Sequence, residues 1–463
     1  MLLIAAALLT ASIYSLGVVE APAVPVSAVV TSTRVTSSRQ DVTEGSRVRV
    51  DVPSRPGTDG SGTIAAVDLL AGASGQRWLD GLATSTPVTL RAADDDSRIA
   101  ATAMDEPPST NLVANWWAAL SPEARTSLAD DAPVVIGNLD GVPYHVRDLA
   151  NRAVLATGLA DPTAPTALAA MLGQVRQSLE QAPDDPRKYL VTLDTRGTGR
   201  CAISVGDLDT AGDVSVVVPG IFFSVNGQMV DFTATAGDVY REQATLAPVA
   251  APADGPGVAV LAWMGYRTPG IADFMSLDLA HVGADRLVRT LDGVRSVRNE
   301  HEPRLGVVAH SYGSTTAMIA LSSGRTRVDS LTMLGSPGSA VASADELGVP
   351  RGEVYVGGAH WDPVAGTGFF GTDPGRAAFG AAKLDLAGGS DPADAGDVFR
   401  QPFGHNDYLK PGTASLHDVA LIALGRGDLV RSGHGSGDDP DDGVVQASPD
   451  MYLVRPQDLQ PRD

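Results

Sequence analysis

Cysteine occurs once in 463 residues, at Cys201. A lone cysteine excludes an intramolecular disulfide framework and any metal site built from several thiolates. Its setting, RGTGRCAISVGD, points to a buried strand residue just after a hairpin. Lysine is nearly as scarce, with only Lys188, Lys383 and Lys410. Lysine and arginine together number 34 against 55 acidic residues, a formal net charge of −21. A chain so poor in cations lacks the clustered basic residues that phosphate backbones require, so nucleic acid is excluded as the main partner. The acidic excess serves solubility. There is no HExxH pair, no cysteine–histidine cluster at ligand spacing and no repeat of fixed period. No metal or organic cofactor is therefore expected, and no solenoid.

Long hydrophobic runs are also missing, with one exception. MLLIAAALLTASIYSLGVV carries no charge before Glu20. A run of that length reads as a membrane anchor or a signal segment over residues 1–29, and APAVPVSA supplies small residues after it. No Lys or Arg precedes it, so its orientation is not readable. The expectation is a membrane-anchored or exported protein associated with the membrane through its N-terminus, with a cytoplasmic one as the alternative. Residues 30–64 are rich in Ser, Thr, Gly and Pro and read as a linker. Residues 65–183 show apolar positions at helical spacing, as around Trp116, Trp117 and Leu120. Ser121 followed by Pro122 is a helix start, a capping hydroxyl before a proline whose φ is already helical. The tail 427–463 is Gly-, Asp- and Pro-rich and is expected to be disordered.

The texture changes at Tyr189. YLVTLDTRGTGRCAISVGD is two β-rich runs joined by a glycine-containing loop, a hairpin pattern. Beyond it, short apolar runs alternate with helical segments: VSVVVPG, VAVLAWMG, LGVVAHS, SLTMLGS and EVYVGGAHWD. Strands alternating with helices predict an α/β fold with a mostly parallel sheet over residues 184–426, preceded by the helical region.

One stretch carries chemistry. VVAHSYGSTTAMIAL reads as a buried strand, a tight turn at Ser311 and an apolar helix. A nucleophile elbow needs small residues two before and two after its serine, because larger ones would strike the neighbouring strand or helix. Gly313 meets that rule, and Ala309 exceeds it by one methyl. A serine hydroxyl needs a base to take its proton, and the base needs a carboxylate to orient it. In such folds the order is serine, acid, histidine. Asp362 in AHWDPV follows an apolar run and is freed from pairing by Pro363. Asp329, Asp345, Asp373 and Asp385 are weaker candidates. His405, in the loop QPFGHNDYLKPG, is the preferred base over His417, which begins the last helix. His310 should point away from the serine, and His360 should line the site. The oxyanion would take amide donors from Tyr312 and from Ile221 or Phe222, Ile221 being preferred.

The ordered set VVVPGIFF, AHSYGSTT, LTMLGSPGS, GAHWDPV, GTDPGRAAFGA and FGHNDYL resembles the actinobacterial α/β-hydrolase family of the DUF1023 type. NWWAALSPEARTSLADDAPVVIGNLDGVPYHVRDLANR resembles the helical segment that often precedes it. The resemblance spans about residues 112–425. It implies an α/β-hydrolase fold with a triad falling here on Ser311, Asp362 and His405. The family pattern usually has Gly in place of Ala309, and often Thr in place of Ile221. The function expected is a serine hydrolase acting on an ester or related acyl bond of a small molecule. The alternative is a catalytically idle α/β-hydrolase fold that binds a partner at the membrane or cell envelope.

Overall fold

The computed structural model describes residues 60–183, 185–247, 257–270, 272–299, 301–390 and 398–430. The apolar segment 1–29, most of the linker and residues 431–463 lie outside them. Among the described residues no helix is long and apolar enough to cross a membrane.

Among the described residues nine helices come first: α1 (Gly60–Ala71), α2 (Gly75–Thr84), α3 (Pro87–Asp94), α4 (Ser97–Met104), α5 (Thr110–Ala119), α6 (Pro122–Asp131), α7 (Pro133–Asn138), α8 (Tyr144–Ala160) and α9 (Thr166–Ser178). Their breaks are written in the sequence. Thr86 and Ser121 each precede a proline, and their hydroxyls accept the amides of Thr89 and Ala124. Each cap satisfies an amide that the first helical turn leaves without a partner. α1 begins inside the segment read as linker. Composition suggested a linker there, but Val67 and Leu70 are buried against the same core as Trp78, Leu79 and Leu82. Burial of that apolar stripe outweighs the glycine and serine at its start. Trp116 and Trp117 belong to this core as well.

Among the described residues the main sheet has eight strands: β1 (Lys188–Asp194), β2 (Arg200–Val205), β3 (Asp213–Val218), β4 (Val258–Met264), β5 (Arg304–His310), β6 (Ser330–Leu334), β7 (Val354–Gly357) and β8 (Ala382–Lys383). Their order is β1-β2-β4-β3-β5-β6-β7-β8. β1 and β2 form the antiparallel hairpin, β2 pairs antiparallel with β4, and every pair from β4 to β8 is parallel. The parallel strands are continuous apolar runs because both faces are covered. α10 (Val225–Leu246) and α13 (Ala414–Ala423) pack on one face, and α11 (Asp278–Val297) and α12 (Tyr312–Ser322) on the other. Cys201 is fully buried in β2, and burial pushes its thiol far up in pKa. Val430 still packs against the core after a short turn at Gly427–Leu429, so the segment read as a disordered tail starts out ordered.

β4 and β5 lie on opposite sides of β3. The chain therefore reverses direction across the sheet at β3, and ligands bind in such sheets beyond the carboxyl ends of the strands, beside the reversal. Val218 pairs with Ala309, His310 with Leu334, and Leu334 with Gly357. The loops after β3, β5, β6 and β7 thus emerge side by side.

Candidate active site

Ser311 stands between β5 and α12 with φ 55° and ψ −130°. Positive φ is uncommon for a residue with a Cβ and persists only where the surroundings enforce it. They do so here. A Cβ on Gly313 would lie 2.5 Å from the Pro219 carbonyl oxygen and 2.6 Å from that of Val218, so the turn closes only over glycine. The Ala309 methyl is absorbed in the core. The Ser311 amide donates to the Leu334 carbonyl at 2.9 Å, and the Ser314 hydroxyl donates to the Ser311 carbonyl at 2.6 Å.

The loop after β8 returns His405 to this corner. Its Nε2 lies 2.8 Å from Ser311 Oγ, and its Nδ1 lies 2.9 and 3.0 Å from the two oxygens of Asp362. Ser311, His405 and Asp362 are 2%, 6% and 0% exposed. Because a carboxylate only accepts, the proton sits on Nδ1 and Nε2 faces the hydroxyl as an acceptor. Asp362 also accepts the amides of Val364 at 2.8 Å and Ala365 at 3.2 Å, and the Tyr408 hydroxyl at 2.5 Å. Burial alone would raise its pKa. The contact with His405 and these hydrogen bonds outweigh burial and hold it at about 2. Tyr408 in turn accepts the Ala359 amide at 2.7 Å, and burial next to Asp362 pushes its phenol well up.

The remaining candidates lie elsewhere. His417 pairs with Glu242 at 2.9 Å and stacks on Phe399. Asp329 accepts the Leu305 amide at the far end of β5, and Asp373 accepts the Gly375 amide in its own turn. Asp345 pairs with Arg351 on the surface, and Asp385 accepts the Ala387 amide. His360 was expected to line the site. It is exposed instead, set between Trp361 and Phe403, because its strand-end pairing with Phe403 turns the ring outward. His310 does turn from the hydroxyl, but it is not idle packing. Its Nε2–H donates to the His405 carbonyl at 2.6 Å, and the two rings lie 4.6 Å apart. Burial, then the neighbouring His405, pushes its pKa down to about 3.

Tyr312 and Ile221 line a cavity of about 20 Å³ together with Ser311. Of the two donors weighed in the early loop, the Phe222 amide is occupied by the Pro269 carbonyl at 3.0 Å, which leaves Ile221. Tyr266 pins that loop by donating to the Pro219 carbonyl at 2.9 Å. The other walls are Phe274, Pro337, Val364, Phe369 and Phe370. A larger cavity, about 340 Å³, is lined by Phe222, Phe232, His310 and Tyr408 but does not reach Ser311.

Three residues of this cluster were not found from sequence: Tyr408, Gly335 and, in its bonded role, His310. Tyr408 stands three residues after His405, and a buried phenol needs a partner. Gly335 ends the neighbouring strand, where backbone must pass close to Asp362.

Residues 194–372 match the family model described as alpha/beta hydrolase. An uncharacterized protein of Mycobacterium tuberculosis strain H37Rv is 31% identical over 387 residues, covering 70% of this chain. The chain spans 57% of that relative's length. An uncharacterized protein of Mycobacterium bovis is 31% identical over 221 residues, covering 47% of this chain and 81% of its own length. Among solved structures, the dienelactone hydrolase of Anabaena variabilis has a TM-score of 0.34 and 15% identity, covering 53% of this chain and 100% of its own. Carboxyl esterase 2 of Tuber melanosporum also has a TM-score of 0.34, at 11% identity, covering 60% of this chain and 98% of its own.

Proposed function

The chain belongs to the α/β-hydrolase family, and from that premise we propose that it is a serine hydrolase cleaving an ester or related acyl bond. The observation that carries the reading is the contact of 2.8 Å between Ser311 Oγ and His405 Nε2, with Asp362 on the opposite ring nitrogen. Hydroxyl, base and orienting carboxylate are in line, which is the arrangement that turns an alcohol into a nucleophile.

In the proposed reaction, Ser311 Oγ attacks the acyl carbon while His405 Nε2 takes its proton. The negative charge moves to the carbonyl oxygen, which the Tyr312 and Ile221 amides receive. The tetrahedral intermediate collapses, the leaving oxygen takes the proton from His405, and an acyl-serine remains. Water then attacks that ester with His405 again as base, releasing the acid and restoring Ser311. Asp362 stabilises the imidazolium in both halves without itself gaining a proton.

One observation favours a second reading, an idle fold used for binding. The chamber beside Ser311 holds about 20 Å³, room for little more than a water. On the catalytic reading, Phe274 or the Phe369–Phe370 pair must move aside for an acyl group. A fluorophosphonate probe separates the two. Labelling of the full chain that disappears in Ser311→Ala, with ester hydrolysis lost in parallel, supports the hydrolase. Folded wild-type protein that neither labels nor hydrolyses any of a panel of acyl esters would overturn it in favour of binding.

A further inference from the structure

Away from the serine, the seam between the helical region and the sheet holds a small cavity with polar walls, of about 40 Å³. Four arginines line it, Arg147, Arg200, Arg286 and Arg289, against two carboxylates, Asp140 and Asp194. In a chain carrying −21 overall, this is a local excess of positive charge.

The carboxylates nearby are already committed. Asp140 takes Arg147 at 2.7 Å. Asp194 takes both Arg196 and Arg200. Asp105, just beyond α4, is shared by Arg196 at 2.9 Å, Arg200 at 3.0 Å and Arg286 at 2.9 Å. Arg289 is left with no ion pair or hydrogen bond among the described residues, although it is partly buried. Burial, and then the charge of Arg200, lowers the pKa of Arg286; burial likewise leads the lowering at Arg289, where Asp140 and Asp285 only partly offset it. Both arginines therefore sit where negative charge would be favourable.

Two hydroxyls point the same way. Thr192 Oγ1 accepts from Arg147, and Thr290 Oγ1 accepts from the Trp263 indole. Both line the cavity, and neither O–H has an acceptor among the described residues. The cavity thus offers unused donors: one guanidinium and two hydroxyls. Its volume is a few times what one water needs. Unused donors around a small chamber with surplus positive charge are the recognition chemistry of an oxyanion.

We propose that this seam binds one tetrahedral oxyanion, a phosphate or sulfate group, between Arg286 and Arg289 of α11 and the hydroxyls of Thr192 and Thr290. The group joins α11 to β1, so its binding stabilises the packing of that helix against the sheet. The proposal does not rest on the serine hydrolase reading, and its test needs no substrate.

The test is thermal unfolding of the full chain against inorganic phosphate, with sodium chloride balancing ionic strength. A saturable rise in Tm with phosphate, absent with chloride, is expected. Arg289→Ala should move the midpoint to at least about tenfold higher phosphate, the loss of one charge-assisted hydrogen bond. If that variant does not fold, Arg289→Lys keeps the charge but loses the fork, and a weaker midpoint is again expected. Glycerol 1-phosphate identifies the source: saturation at lower concentration than inorganic phosphate supports an esterified group, and saturation at equal or higher concentration supports the free anion. A wild-type protein that responds to phosphate no more than to chloride overturns the proposal. So does a phosphate midpoint unchanged in the folded Arg289 variants.

Discussion

Asp362 and Asp194 are both buried, yet they are held in opposite ways. Asp194 is clasped by Arg196 and Arg200, which stay charged at every pH the protein meets. Asp362 is held by an imidazole, a phenol and two backbone amides. Permanent cations cancel the first charge, so that carboxylate serves packing between hairpin and helices. Dipoles stabilise the second charge without cancelling it, and in the proposed reaction this leaves it available to the imidazolium that forms. Depressed pKa values at both aspartates therefore mean different things: an ion pair at the seam, and at the rim a carboxylate held by an imidazole, a phenol and amides, as the proposed reaction requires.

The strongest way to break this contrast is to neutralise each carboxylate in turn. Asp362→Asn should lower kcat/KM on a hydrolysed ester by about 10⁴-fold, because the amide holds the wrong tautomer of His405. Asp194→Asn should leave the activity of the folded fraction near wild type but cost about 1.5–3 kcal/mol of stability, since Arg196 and Arg200 lose a charged acceptor and keep only Asp105. Denaturant unfolding and steady-state rates on both variants decide it. A reversed pattern, with Asp194→Asn slowing chemistry, would erase the distinction.

A single methyl sharpens it next. Gly335 has φ 61°, and a Cβ there would lie 2.7 Å from Asp362 Oδ2 and 3.0 Å from the His405 ring. Gly335→Ala should displace the carboxylate or the imidazole and lower kcat on the order of 100-fold, the usual consequence of a displacement near 1 Å. An unchanged rate would show that this packing does not position the pair.

The rim was more legible in the sequence than the seam, for a physical reason. Ser311, Gly313 and Asp362 mark themselves locally, because an elbow and a strand end impose composition on a few consecutive residues. Parallel strands such as VSVVVPG and VAVLAWMG declare themselves by being apolar on both faces. Tyr408 and His310 did not, since their partners lie across the sheet from them in sequence. Arg286 and Arg289 carry no local mark in the sequence. Only the folded chain brings α11 against Asp105 and the hairpin, so their excess charge is a tertiary fact. His360 misled for the same cause: its position beside Asp362 suggested the site, and its bridge to Phe403 decided otherwise.

Tyr408 tests how far Asp362 depends on dipoles. Tyr408→Phe keeps the ring and removes one hydrogen bond to an ionised carboxylate, worth about 1.5–3 kcal/mol. The expected result is a loss of kcat of about ten- to a hundredfold, with KM nearly unchanged. It should come with an upward move of the acid limb of the pH–rate profile, because Asp362 loses a bond that favours its charged form. A purely structural role would lower Tm and leave the profile where it was.

His310 provides the most selective effect. Its ring is kept neutral, with a pKa near 3 against an ordinary 6.5. Between those values the unfolded chain takes up a proton that the folded chain refuses, so stability falls as pH drops through this window. The contribution is fully present above about 6.5. Asp362 acts lower down, losing its contribution as pH falls from about 3.8 toward 2. His310→Gln can still donate to the His405 carbonyl but cannot titrate. Acid unfolding followed by circular dichroism should therefore flatten between pH 6.5 and 3 in this variant while keeping its lower limb. A variant curve that parallels wild type across the upper window would mean that His310 already takes its proton in the folded state, and that the rim tolerates a fixed cation after all.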